Sequence, residues 1–144
     1  DGCVLAGCDL SNLRVYGIKN SLVHDAKLRG THFHAYMRNV VIERCQLSEC
    51  NLRLMILEHV AVTQSTVVRC DFYGSELTTV AFPGSEIEGV GFDRCTLTDV
   101  DLTQAIDLRI GDPRTLVGAA VCETQVHLIA ARLAELSGIE VRDC

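Results

Sequence analysis

The chain has 144 residues, 48% of them hydrophobic but only 5% aromatic, with no tryptophan and a formal net charge of −6. That length holds one domain with a core of small and branched aliphatic side chains. The acidic balance and the lack of basic–aromatic clusters exclude direct nucleic-acid binding, and no apolar run is long enough to predict a membrane span.

From the first residues, the apolar positions fall five apart. Leu5 and Leu10 hold one phase, Ile18, Val23, Leu28 and Phe33 hold another, and Met37 joins the main phase after a step of four. These two slips predict bulged or loosened corners at Ser11–Gly17 and His34–Tyr36. From Ile42 the beat is unbroken through Leu47, Leu52, Leu57, Val62, Val67, Phe72, Leu77, Phe82, Ile87, Phe92 and Leu97 to Leu102. A second set lies two residues earlier, from Val40 and Cys45 to Cys95 and Val100, mostly small and never charged.

A strand repeats every 2 residues and a helix every 3.6, so a period of five is neither. Positions two apart on an extended chain point the same way. Each unit therefore sends one small and one large side chain inward, and three residues face outward and turn a corner. Four units close a square coil of twenty residues, and coils stack at about the 4.8 Å spacing of paired strands. The predicted ladders are Val40/Val60/Val80/Val100, Leu57/Leu77/Leu97 and Leu52/Phe72/Phe92, with Gly74, Gly84 and Gly89 at tight corners. Cys45, Cys50, Cys70 and Cys95 fall on the small inward phase, as buried free thiols do. They predict reduced cysteines and a cytoplasmic protein.

After Leu102 the repeat dissolves. "GDPRTLVGAAV" carries a turn signal at Gly111–Pro113 and one last coil through Leu116, Ala119 and Val121. "ETQVHLIAARLAELSG" predicts a helix starting at Glu123 or Thr124, with Val126, Ile129, Leu133 and Leu136 as its apolar stripe and Leu128 off that stripe. Gly138 followed by Ile139 predicts a Schellman stop, and "IEV" a short strand. The expected division is a solenoid over residues 1–121 and a helix with a short strand over 122–144. The helix covers an open end that would otherwise expose core and strand edges.

The units "CDLSN", "CNLRL", "CDFYG", "CTLTD" and "VDLTQ" resemble those of the pentapeptide-repeat family, over nearly the whole chain. The resemblance implies an all-β, right-handed quadrilateral β-helix with a short C-terminal α-helix cap. In the quinolone-resistance branch of that family, a similar helix builds a two-fold dimer. The branch also imitates duplex DNA to bind DNA gyrase, a type II topoisomerase. The slips here are too short for the projecting loops of that branch.

No catalytic grammar is present: no Gly-rich phosphate loop, nucleophile elbow or HExxH helix. His32 and His34 alternate on one side of a strand without a third ligand, and no cofactor is expected. Charge is unevenly placed, at net +2 over residues 1–70, −7 over 71–112 and −1 over 113–144. The middle segment amounts to two coils, roughly 10 Å of tube, and duplex DNA of that length bears about six charges. Asp71, Glu76, Glu86, Glu88, Asp93, Asp99 and Asp101 are the candidate partner-binding carboxylates, expected on all four faces. Val41, Ala61 and Ala81 form an outward apolar column. The functional expectation is a non-catalytic protein that binds gyrase by DNA mimicry and confers quinolone or toxin tolerance. The alternative is a general protein-interaction scaffold.

Overall fold

The structure is a computed structural model describing all residues from Asp1 to Cys144. Its strands are β1 (Val4–Ala6), β2 (Arg14–His24), β3 (Lys27–Arg29), β4 (His32–Glu43), β5 (Gln46–Ser48), β6 (Ile56–Thr63), β7 (Thr66–Val68), β8 (Glu76–Ala81), β9 (Glu86–Val90), β10 (Thr96–Asp101), β11 (Asp107–Ile110) and β12 (Ala119–Ala120). One helix follows, α1 (Glu123–Leu136). Every pairing is parallel, in two sheets of order β1-β2-β4-β6-β8-β10-β12 and β11-β9-β7-β5-β3. Together they form a β-solenoid of about six turns.

The predicted ladders are present. Val40 pairs with Val60, Val60 with Val80 and Val80 with Val100. Leu57, Leu77 and Leu97 stack in the same sheet, and the Phe72 and Phe92 rings lie 5.4 Å apart at 19°. All thirteen large inward residues from Ile42 to Leu102 are buried. Each is covered by its counterparts in adjacent coils, so the core is a continuous column of side chains.

The small inward positions are held by hydrogen bonds as well as by fit. Ser75 Oγ donates to the Leu52 carbonyl at 2.6 Å and Ser85 Oγ to that of Val62 at 2.7 Å, each reaching back 23 residues. The same hydroxyls accept from the Met55 and Ser65 amides at 2.9 and 3.2 Å. Thiols act alike: Cys95 Sγ reaches the Phe72 carbonyl at 2.9 Å and Cys50 Sγ that of Leu28 at 3.0 Å. All eight cysteines are free. Burial pushes the Cys45 and Cys95 thiols up, which keeps them protonated and able to donate. Sequence placed these cysteines correctly and missed their bonding.

Corners repeat as faithfully as the core. Backbone φ is positive at every fifth residue from Asn39 to Asp99, at ten non-glycine residues as well as at Gly74, Gly84 and Gly89. The two slips are shortened corners that stack on each other: Tyr16 pairs with His34 and Ile18 with Met37, with the register shift between them. The first therefore falls at the far end of the stretch expected to loosen. β2 and β4 run 11 and 12 residues through these corners where β6 has eight, and Gly17 and Ala35 keep the positive φ of the other corners. Coils lengthen accordingly, from 18 residues (Val4 to Leu22) through 19 (Ser21 to Val40) to 20 (Val40 to Val60).

The last coil continues through Leu108, Ile110 and a 3-10 turn at Pro113–Leu116, whose start is capped by Asp112. Val100 then pairs with Ala119. An alanine at Gly118 would place its Cβ 2.1 Å from the Leu97 carbonyl oxygen, so close approach requires glycine there.

Helix α1 begins after Cys122 and ends in the expected Schellman stop, with Gly138 N–H bonded to Glu135 O and Ile139 N–H to Ala134 O. Its buried residue is Gln125, whose Nε2 donates to the Leu102 carbonyl at 2.7 Å. That anchor fixes the rotation of the helix and corrects the expected stripe. Ile129 packs on the core and Leu133 is half-buried, whereas Val126 and Leu136 stand 47% and 37% exposed. The expected strand at Ile139–Val141 does not form.

Candidate interaction surface

Since inward positions are filled, chemistry is left to the outward columns. Glu86 and Glu88 project from one face of β9, and Asp107 stacks beside Glu86 in β11. Asp71 lies outward of Phe72, bridged to Asn51 and Gly91 in adjacent coils, and Asp93 follows Phe92 on that face. Glu76 pairs in register with Ile56 and Thr96, and Asp99 occupies the corner that follows. Asp101 stands above Ala81. The seven predicted carboxylates thus occupy all four faces, at most two on any one.

Their local bonding differs. Asp71 is partly neutralised by Arg53 at 3.6 Å. Asp101 accepts from Thr103 Oγ1 at 2.6 Å and Thr103 N at 2.8 Å, which holds its carboxyl below the usual carboxylate range. Glu76, Glu86, Glu88, Asp93, Asp99 and Asp101 enter no ion pair. The acidic coils are therefore less internally compensated than the amino-terminal ones. There, Arg38–Glu58 and Arg69–Glu49 bridge coils at 3.2 Å each, and Arg44–Asp25 at 3.0 Å. Sequence reasoning missed these bridges. The signal was available, because Arg38/Glu58 and Glu49/Arg69 are twenty residues apart.

The apolar column is Val4–Leu22–Val41–Ala61–Ala81, in register through β1, β2, β4, β6 and β8. His34 stacks on Tyr16 with ring centroids 4.7 Å apart, and its Nε2 is buried without a hydrogen-bond partner. No three His, Cys, Asp or Glu side chains are grouped to hold a metal ion. A cleft of about 290 Å³ separates the last coil from α1, with Ile110, Pro113, Leu128 and Arg132 among its walls. No helix is long and apolar enough to cross a membrane.

Solved structures share this architecture. HetL, a pentapeptide repeat protein involved in heterocyst differentiation regulation from the cyanobacterium Nostoc sp. strain PCC 7120, superposes with a TM-score of 0.66 at 18% identity. The match covers 74% of this chain, which spans 46% of HetL's length. The chain has the pentapeptide-repeat fold. Rfr23, a pentapeptide repeat protein from the cyanobacterium Cyanothece 51142, matches with a TM-score of 0.55 at 12% identity, over 83% of this chain and 91% of its own. QnrB1, a plasmid-mediated fluoroquinolone resistance protein, aligns over 97% of this chain at 14% identity, but its TM-score of 0.27 lends nothing to a functional comparison. No protein-family model and no curated protein matches the chain. Pentapeptide-repeat geometry accounts for the filled interior and leaves the outer columns exposed.

Proposed function

We propose that this chain is a non-catalytic protein-interaction scaffold, a rigid rod whose outward charge selects a partner. The observation that supports this reading is the use of inward polar side chains. Ser65, Ser75, Ser85 and Gln125 are spent on bonds between coils, so recognition falls to the surface. Eight free thiols favour a reducing, cytoplasmic setting. The test is capture from the source cell on the immobilised chain beside a variant reversed at Glu86, Glu88 and Asp93. A partner retained equally by both would remove the acidic coils from the reading.

A second reading is DNA mimicry toward DNA gyrase or another type II topoisomerase, with quinolone or toxin tolerance as the consequence. Six unpaired carboxylates concentrated in about two coils favour it, because their spacing approaches the charge density of duplex DNA. A supercoiling assay separates the two. Inhibition or drug protection at micromolar protein, abolished by the same reversal, supports mimicry; no effect leaves the scaffold alone.

The chain also self-associates, in this proposal, through α1. Leu128 is 58% exposed, and Leu136, two turns on, is 37% exposed, which gives an apolar contact suited to a two-fold axis. Leu128→Glu leaves the buried face of the helix intact and is expected to lower the mass seen by light scattering. An unchanged dimeric mass removes α1 from the contact.

A further inference from the structure

The face made by β3, β5, β7, β9 and β11 carries its charge in an antisymmetric order. Two outward columns run up it in register, Lys27–Gln46–Thr66–Glu86 and Arg29–Ser48–Val68–Glu88. Two cations stand at the bottom, two carboxylates at the top, and four uncharged side chains between. All four charged residues are exposed, and none joins an ion pair within the chain. At the bordering corner, Glu49 and Arg69 carry a charge inversion of opposite order half a coil to either side of the midpoint, and they bridge each other at 3.2 Å.

We propose that this face is a self-association surface, on which a second copy docks about a two-fold axis lying parallel to the strands between β5 and β7. That operation turns the copy upside down while preserving position along each strand. Lys27 then meets Glu86 of the other copy, Arg29 meets Glu88, and both contacts occur twice. The uncharged Gln46 and Ser48 meet Thr66 and Val68, and Glu49 meets Arg69. Asp9, in backbone register with Lys27, falls opposite Asp107, whose charge Arg109 offsets at 3.2 Å. The other in-plane two-fold, parallel to the tube axis, would set Lys27 against Arg29 and Glu86 against Glu88. Like charges exclude it, so the pattern selects one orientation.

The face measures about 24 Å along the tube by roughly 10 Å across. That is below the ~800 Å² per partner of a standard interface, so the dimer is weak, concentration-dependent and strengthened at low salt. It is distinct from the α1 contact and does not depend on any gyrase reading.

Sedimentation velocity in the Leu128→Glu background, at low salt and up to several hundred micromolar protein, tests it without the α1 contact. The chain is expected to dimerise. K27E/R29E and E86K/E88K should each weaken dimerisation by roughly tenfold or more. An equimolar mixture of the two should form a heterodimer, and the exchange K27E/R29E/E86K/E88K should restore the homodimer. A monomer throughout the range would overturn the proposal. So would double variants that associate as before, or a monomeric four-fold exchange whose circular dichroism and melting remain those of the parent.

Discussion

Gln125 Nε2 bonds to the carbonyl of Leu102, 23 residues back, the same reach by which Ser75 bonds to Leu52 and Ser85 to Val62. The cap therefore joins the tube as though it were the next coil, with a helical glutamine in the place of a small inward residue. Gln125 Oε1 also accepts from Cys122 N at 2.9 Å, closing the first turn of α1.

Gln125→Ala is expected to leave the Cys122 amide without a partner and the buried Leu102 carbonyl with only the Ala105 amide, at 3.2 Å. The cost is about 1–3 kcal/mol, read as a lower urea midpoint. Because α1 sits at one end of a stack, the loss should appear first as faster deuterium uptake in Glu123–Leu136. Unchanged uptake there would show that α1 is held by its apolar contacts alone.

Ser85→Ala and Ser85→Cys separate bonding from fit at an inward column. Ser85 is fully buried, donates to the Val62 carbonyl and accepts from the Ser65 amide. Alanine removes both bonds and should cost about 1–3 kcal/mol. Cysteine keeps a donor, as Cys95 does at an equivalent position, and should cost less. Equal losses would mean that only volume matters there.

Gly118→Ala should prevent the last coil from seating, since the added carbon meets the Leu97 carbonyl at 2.1 Å and φ is +97°. Backbone must move to relieve that contact, at a cost of about 1–3 kcal/mol for overpacking. Gly111→Ala, where an added carbon meets nothing within 4 Å, is the control. Equal melting temperatures for the two variants would refute the seating.

Asp25 supplies the clearest pH signature. Hydrogen bonds from Arg44 and then His24 lower its carboxyl from 3.8 to about 2. The folded chain thus binds that proton less readily than the unfolded chain. The stability it contributes is complete above its ordinary value and is lost as pH falls through about 2. Urea midpoints followed from pH 5 to pH 2 should decline less steeply for Asp25→Asn than for the parent. Parallel declines would show that the contact contributes nothing in solution.

The repeat was legible because one period governs both the core and the corners. Thirteen apolar positions in step required an inside, and Val60 beside Val80 followed from counting twenty. Orientation of the helix was not legible, because Gln125 reads as a surface residue and only its bond to the Leu102 carbonyl makes it an anchor. Stacked ion pairs such as Arg38–Glu58 were missed although legible, because the same count of twenty sets the two residues in adjacent coils. The sequence located the acidic coils, and winding distributed their carboxylates over four faces.

The ladder of positive φ has a consequence for engineering. Ordinary side chains in this region cost roughly 1 kcal/mol each relative to glycine, yet His59, Thr79 and Arg94 are held there. Their conformation is dictated by the neighbouring coils, not chosen by the residue. Replacing such tenants with asparagine or glycine, as already stand at Asn39, Gly74 and Gly84, is a route to thermal tolerance that need not alter a single residue of the interior.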